Sequence, residues 1–305
     1  MIKEHFLVYK QPFIYRIRYE VSHKERVIKI VKKNKSHVDN YCFNPQNRPG
    51  LPSALTVNLA VVGDSHVGFG NSQSMFNNLL QNVVNSGNKR YIIFGGDDVH
   101  AGGVSTAEAT RRYQQFASII NNVLGTNIPY RSSIGNWEDS TTDLFRSYIN
   151  PYLTGYVGIP GTQGLVRHLW LDNANRRWSQ DSLNLLRSLD PNYYYIIDFH
   201  WPLRVPGITN EIHDDHLMTQ GETDMFFNAI PANVRNRILA IFTHHAHKLF
   251  SNSVPITPNF SNTPLYVTGC SGDYACKSVD RGYYDLNLTI QNNIATLQTT
   301  PVRIQ

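Results

Sequence analysis

"RILAIFTHHAH", residues 237–247, begins as an apolar, β-branched run with the composition of a buried strand and ends on three imidazoles, His244, His245 and His247. The whole chain has 12 histidines in 305 residues, so three of them in four positions at a strand end call for a chemical reason. Other apolar runs end in the same way. "LTVNLAVVGDSH" (55–66) closes on Asp64 and His66, and "YIIFGGD" (91–97) on Asp97. "IPYRSSIGN" (128–136) closes on Asn136, and "YYYIIDFH" (193–200) on His200.

Segments with helical spacing lie between these runs. "QSMFNNLLQNVV" (73–84) sets Met75, Leu79, Leu80 and Val83 on one face, and "TAEATRRYQQFASIINNVL" (106–124) does so with Tyr113, Phe116, Ile119, Ile120 and Val123. "TDLFRSYI" (142–149) and the Ser-capped "SQDSLNLLRSL" (179–189) read as further helices, and "LVRHLWLDN" (165–173) as a strand. "PLYVTG", "YYDLNLTI" and "IATLQTT" finish the chain as strands. Strand–helix alternation followed by strands predicts an α/β fold with a second, more antiparallel sheet.

At 41 % hydrophobic residues the chain has ample core for one large domain with an appendage. The expected boundary is a basic arm and Pro-rich linker over 1–50 and the main domain over 51–305. The arm explains the net charge of +5: residues 1–40 hold 10 Lys/Arg against 4 Asp/Glu, the remainder 18 against 19. "PFIYRIRYEV" (12–21) alternates as a half-buried strand, and "RVIKIVKK" (26–33) reads as its return strand. A lysine-rich edge hairpin accounts for the arm, and docking to nucleic acid through residues 1–40 is the functional alternative. No run approaches the ~18 apolar residues of a membrane span. The first twenty residues lack the apolar core of a secretory leader, which makes a cytoplasmic location the default expectation. Cys42, Cys270 and Cys276 form no C-x-x-C pair, and free thiols are expected ahead of a Cys270–Cys276 bridge.

In open α/β sheets, sites form beyond the carboxyl ends of the strands, so groups as distant in sequence as Asp64 and His247 are expected to converge. Imidazole, carboxylate and amide ligands without thiolate suit Mn, Fe, Zn or Co. One carboxylate can bridge two ions, and a two-ion centre serves phosphoryl displacement.

The ordered motifs D-x-H (64–66), G-D (96–97), G-N-x-E (135–138), His200 and H-x-H (245–247) resemble those of the calcineurin-like metallophosphoesterases over about residues 56–300. That resemblance implies a four-layer α/β/β/α sandwich and a metal-bridging hydroxide that attacks a phosphate ester. It implies a first metal on Asp64, His66, Asp97 and His247, and a second on Asp97, Asn136, His200 and His245, with Asn136 also near substrate. Ligand histidines must be neutral, so depressed imidazole pKa values and acid-sensitive metal affinity are expected. A small phosphoester is the expected substrate. A non-catalytic metal-binding relative that recognises a phosphorylated partner, or a nucleic-acid phosphodiesterase docked through the arm, are the alternatives.

The match departs at one position. Family members place a histidine after G-N, where it commonly protonates the leaving alkoxide, and this chain has Trp137. Indole has no proton to give near neutral pH, and losing a general acid costs about 10²–10⁴-fold in rate. Three readings stand open: a leaving group that needs no acid, such as an aryl phosphate or a pyrophosphate; a substitute acid, with His244 preferred and His100 second; or a chain that keeps its metals without catalysis. The first two are favoured because the ligand set is complete. Arg204 is a candidate phosphate contact. Asp98 reads as solvent-facing or as support behind the ligands, Glu138 as a ligand-orienting or surface acid, and "EIHDDH" (211–216) as a loop at the cleft. "FGGDDVHAGGV" and "LDNANRRWSQDSLNLL" are similar to the purple acid phosphatase branch, but His66 and His100 stand where that branch has glycine and its iron-binding tyrosine, so no tyrosinate ligand is expected.

Overall fold

The structure is a computed structural model that describes residues 54–304 and, in the arm, the backbone of two strands, β1 (His5–Lys10) and β2 (Phe13–Arg18). The chain divides into two compact units, Met1–Arg48 and Pro49–Gln305. In the first, β1 and β2 pair antiparallel with Lys10 opposite Phe13 and His5 opposite Arg18. The strand expected over 12–21 therefore finds its partner on its N-terminal side. The expected return strand at 26–33, the linker and Cys42 lie outside the described residues.

The second unit contains two sheets. One has the order β13 (Ile294–Arg303), β12 (Gly282–Gln291), β3 (Leu55–Val62), β4 (Lys89–Phe94), β5 (Tyr130–Ser132). The other runs β10 (Phe250–Asn252), β11 (Leu265–Val267), β9 (Ile238–Thr243), β8 (Tyr194–Phe199), β7 (Val166–Leu171), β6 (Gly155–Gly158). Strands β3, β4 and β5 are parallel, as are β7, β8, β9 and β11; antiparallel strands close both edges of the second sheet and the β12–β13 side of the first. The sheets face each other through Val57, Leu59, Val61, Tyr91 and Ile93 on one side and Val166, Tyr194, Ile196, Ala240 and Phe242 on the other.

Helices cover the outer faces. Phe76, Leu79, Leu80 and Val83 of α1 (Ser72–Asn85) and Tyr113, Phe116, Ile119 and Ile120 of α2 (Thr106–Val123) pack on Ala60, Val62, Ile92 and Phe94. Outside the second sheet, Leu183 and Leu186 of α4 (Gln180–Arg187) join Phe226 and Phe227 of α6 (Gln220–Ala229) over Leu169, Ile197 and Phe199. Two shorter helices, α3 (Thr142–Tyr148) and α5 (Ile208–Glu211), complete the set. The layers are α/β/β/α. Parallel strands buried on both faces carry near-continuous apolar runs, which is why these segments read as strands in the sequence.

Helix α6 was not foreseen, although Thr219 caps it through the Glu222 N–H, a T-x-x-E start visible in the sequence. Cys270 and Cys276 are disulfide-bonded with Cα atoms 5.7 Å apart, which corrects the expectation of free thiols. Among the described residues no helix is long and apolar enough to cross a membrane. Phe116 is fully buried and stacks on Phe76 at 5.5 Å. Phe116→Ala should lower unfolding free energy by about 3–5 kcal/mol in denaturant titrations.

Candidate metal centre

Strands β3, β4 and β9 end in turns that carry polar groups. Asp64, His66, Asp97, His245 and His247 all have left-handed φ values, between 43° and 64°. They are five of the ten non-glycine residues with positive φ among those described. Such a conformation is unfavourable for residues other than glycine and collects where function holds it in place. Close backbone approach helps: Gly96 has φ +79°, and a Cβ there would lie 2.5 Å from the Gly135 nitrogen, so the turns bearing Asp97 and Asn136 touch through two glycines.

The turns bring together every ligand inferred from the sequence. Asp64, His66, Asp97 and His247 form one group and Asp97, His200 and His245 another, each with ligand atoms within 4.8 Å of one another. His247 Nε2 lies 3.4 Å from Asp64 Oδ1 and 3.2 Å from His66 Nε2. Around His200 Nε2 lie Asn136 Oδ1 at 3.0 Å, Asp97 Oδ2 at 3.2 Å and His245 Nδ1 at 3.3 Å. The Gly95 carbonyl accepts from His200 Nδ1 at 2.8 Å, which leaves the Nε2 lone pair for a ligand. Asp64 Oδ2 is buried with no hydrogen-bond partner. Converging lone pairs and a partnerless buried carboxylate oxygen fit a pair of cations sharing Asp97.

The electrostatics carry the same signature. Burial pushes the His66 and His245 imidazoles well below their ordinary pKa, as expected of ligands. His200 and His247 go the other way: burial lowers both, but Asp97 and Asp64 respectively outweigh it, and His200 rises to about 10. This corrects the uniform depression expected from the sequence. A proton on His200 takes the place of a cation beside Asp97, so protons and metal compete there.

No family profile matches the sequence, and no curated protein sequence matches it. Solved structures do. A dimetal phosphatase from Danio rerio superposes with a TM-score of 0.55 at 8 % identity, covering 80 % of this chain and 98 % of the other. The chain has the calcineurin-like metallophosphoesterase fold. GAP50, the anchor in the inner membrane complex of Plasmodium (TM-score 0.48, 9 % identity, 82 % and 90 % covered), is also similar. So is a phosphopantetheinyl hydrolase from Mycobacterium tuberculosis (0.43, 9 %, 71 % and 91 %).

The metallophosphoesterase fold gives the remaining sequence candidates new surroundings. His244 does not face the ligands. It is fully buried, its Nε2 lies 2.6 Å from Asp198 Oδ1, and its Nδ1 meets the Thr268 hydroxyl. A Cβ on Gly63 would come within 2.5 Å of its ring, and one on Gly95 would run into it. With both nitrogens engaged inside the sandwich, His244 cannot hand a proton to a leaving group, which overturns its assignment as the substitute acid. His244 instead supports the backbone just before Asp64 and Gly96.

His100 does reach the centre, with its Nδ1 3.4 Å from His66 Nδ1 and its ring stacked on Trp137 at 3.8 Å. Burial, then the Arg112 charge, lowers it to about 4, so it is neutral near pH 7. Arg204 is occupied elsewhere: its guanidinium donates to Asp214 Oδ1 at 2.6 Å and to the Asp214 and Met218 carbonyls. It holds the 214–218 loop and reaches no ligand in these contacts. Trp137 donates its backbone N–H to Asp97 Oδ1 at 2.8 Å. Glu138 is buried and accepts from the N–H groups of Asp97, Val99 and Gly135, so it is the ligand-orienting acid rather than a surface one. Asp98 is buried too, receiving the Ser132 hydroxyl at 2.6 Å, and burial raises it to about 8.

Three further side chains support the centre, and of these only His216 was singled out in the sequence, in the loop placed at the cleft. Trp201 stacks on His245 at 3.5 Å. His216, from the "EIHDDH" loop, sets its Nδ1 3.2 Å from the outer nitrogen of His245. Asp198 anchors His244, and the signal was present, since Tyr194, Ile196 and Asp198 alternate onto the face between the sheets.

Two outcomes follow from the interior polar groups. Removing His244 leaves the Asp198 carboxylate buried without its partner, so His244→Ala should lose about 3–5 kcal/mol in chemical denaturation. His168 accepts or donates at Nδ1 with the Tyr91 hydroxyl at 2.9 Å, and burial, opposed by Asp198, lowers its pKa to about 4. Between pH 6.5 and about 4 the unfolded chain binds a proton there that the folded chain does not. Stability should therefore fall as pH falls through that window, by at most ~1.4 kcal/mol per pH unit. Denaturant midpoints of wild type and His168→Gln across that range should show this slope lost in the variant.

Proposed function

We propose that the chain hydrolyses phosphate esters at a dinuclear metal centre built from Asp64, His66, Asp97, Asn136, His200, His245 and His247. The observation that carries this reading is the shared Asp97, whose carboxylate belongs to both ligand groups. Two ions about 3.5–4 Å apart would activate water and clamp the phosphoryl oxygens. Mn, Fe, Zn or Co suits the donor set.

The chain's own residues set the geometry. Asp97 is oriented by the Trp137 N–H, His200 by the Gly95 carbonyl, and the turns at 97–99 and 135 by Glu138. Trp137 and His244 offer no proton to the departing oxygen and His100 is neutral near pH 7, so the leaving group departs as its own anion or takes a proton from solvent. Trp137 is also the one observation favouring a metal-binding relative that recognises a phosphorylated partner without turnover.

Metal content of the purified chain, measured alongside a panel of aryl monoesters, aryl diesters and anhydrides with each of the four metals, separates these readings. Turnover with a loaded centre supports hydrolysis, and no turnover with any metal supports the binding relative. Asp97→Ala should lose both ions and all turnover, and full activity in that variant would refute the site. Glu138→Gln should weaken metal affinity about 10–100-fold, read by competition with a chelator.

A further inference from the structure

The centre is walled on one side by aromatic rings. The Tyr274 ring lies 4.6 Å from that of His66, 5.9 Å from His247, 5.3 Å from Trp137 and 4.9 Å from Phe69. Phe69 also packs 4.9 Å from His100, and its side chain is 39 % exposed, one of seven large hydrophobic residues left to solvent among those described. Tyr274 and Trp137 are half-buried.

The wall is held in place. The Cys270–Cys276 disulfide closes the loop carrying Tyr274, and its backbone donates from Ser271 and Gly272 to the Asp64 carbonyl. Asp273 fixes the same loop to the start of α1, receiving the Asn71 N–H and donating its own to Ser72 Oγ. A rigid, partly exposed ring surface beside two metal ligands is preorganised for a flat apolar partner.

Leaving-group chemistry points to the same partner. An alkoxide is nearly as basic as hydroxide, whose parent water has a pKa of ~15.7, and needs an acid to depart. A phenolate, from a parent of pKa ~10, departs far more readily unaided. In the metallophosphoesterases that the sequence resembles a histidine commonly stands at this position, and Trp137 puts another ring there.

We propose that the Phe69–Tyr274–Trp137 wall receives the aryl group of an aryl phosphate ester, so that the leaving group is an aromatic alcohol. This rests on the hydrolase reading given above. In the step, the water oxygen bonds to phosphorus and the phosphorus–oxygen bond to the aryl group breaks. The electron pair leaves on the phenolate oxygen, and solvent exchanges the protons. Phe69 and Tyr274 are specificity residues that touch the ring and not the phosphorus.

The test uses the metal-loaded full chain and two non-hydrolysable probes of similar size, phenylphosphonate and cyclohexylphosphonate, titrated by calorimetry. Phenylphosphonate should bind tighter by on the order of three- to tenfold, the range of a stacked ring pair. Phe69→Ala and Tyr274→Leu should each bring the ratio of the two dissociation constants towards one, and Phe69→Tyr should retain it. Equal affinities in the wild type, or a preference that survives both truncations, would overturn the proposal. Hydrolysis of acetyl phosphate, a good leaving group without a ring, is followed in parallel. Its turnover without any aryl preference defeats this proposal and leaves the hydrolase reading standing. An aryl preference that depends on Phe69, with no hydrolysis of acetyl or phenyl phosphate under any of the four metals, upholds aryl binding by the wall and defeats both the leaving-group assignment and the hydrolase reading.

Discussion

The Asp97 carboxylate is the point on which the structure turns. One oxygen is held by the Trp137 N–H, and the other lies 3.2 Å from His200 and 3.7 Å from His66, so a single side chain belongs to both halves of the centre. Burial works against the ionised form, and the His200 charge and hydrogen bond, with His245 behind it, outweigh burial and hold the acid below its usual range. A carboxylate kept ionised in the interior needs positive charge beside it, from imidazolium or from metal. The surrounding architecture supplies the places from which that charge is presented.

Those places are the ends of parallel strands in two facing sheets. Parallel pairing aligns the carboxyl ends of β3, β4 and β5 on one side and of β8 and β9 on the other, and the turns beyond them, left-handed after β3, β4 and β9, aim side chains at a common volume. Polar groups reach deep between the sheets to support the turns. The His244–Asp198 pair fills the space beneath Gly63 and Gly95, and Glu138 gathers three N–H groups beneath the Asp97 and Asn136 turns. Each of these is costly to bury alone and is buried with a partner, as interior polar groups must be.

The layers and the ligands were legible in the sequence for one reason: a strand buried on both faces is an unbroken apolar run, so the polar residue that ends it stands out. Asp64 and Asp97 are the first polar residues past such a run, and His200 is the second. Orientation was harder to read. His244 looked like a third imidazole at the centre, yet it stays in phase with Ala240 and Phe242 and therefore points between the sheets, while its neighbour His245 points to the cluster. Arg204 was legible only as a cation, because its partner Asp214 is brought to it by a loop whose path no periodicity encodes. The disulfide likewise depended on the fold of 270–276, which three cysteines in a sequence do not specify.

The central claim is that two cations share Asp97. Anomalous diffraction from crystals of the Mn-loaded protein tests it most directly. Two peaks are expected about 3.5–4 Å apart, one bounded by Asp64, His66 and His247 and the other by Asn136, His200 and His245, with Asp97 touching both. A single peak, or two peaks of which only one contacts Asp97, would contradict it.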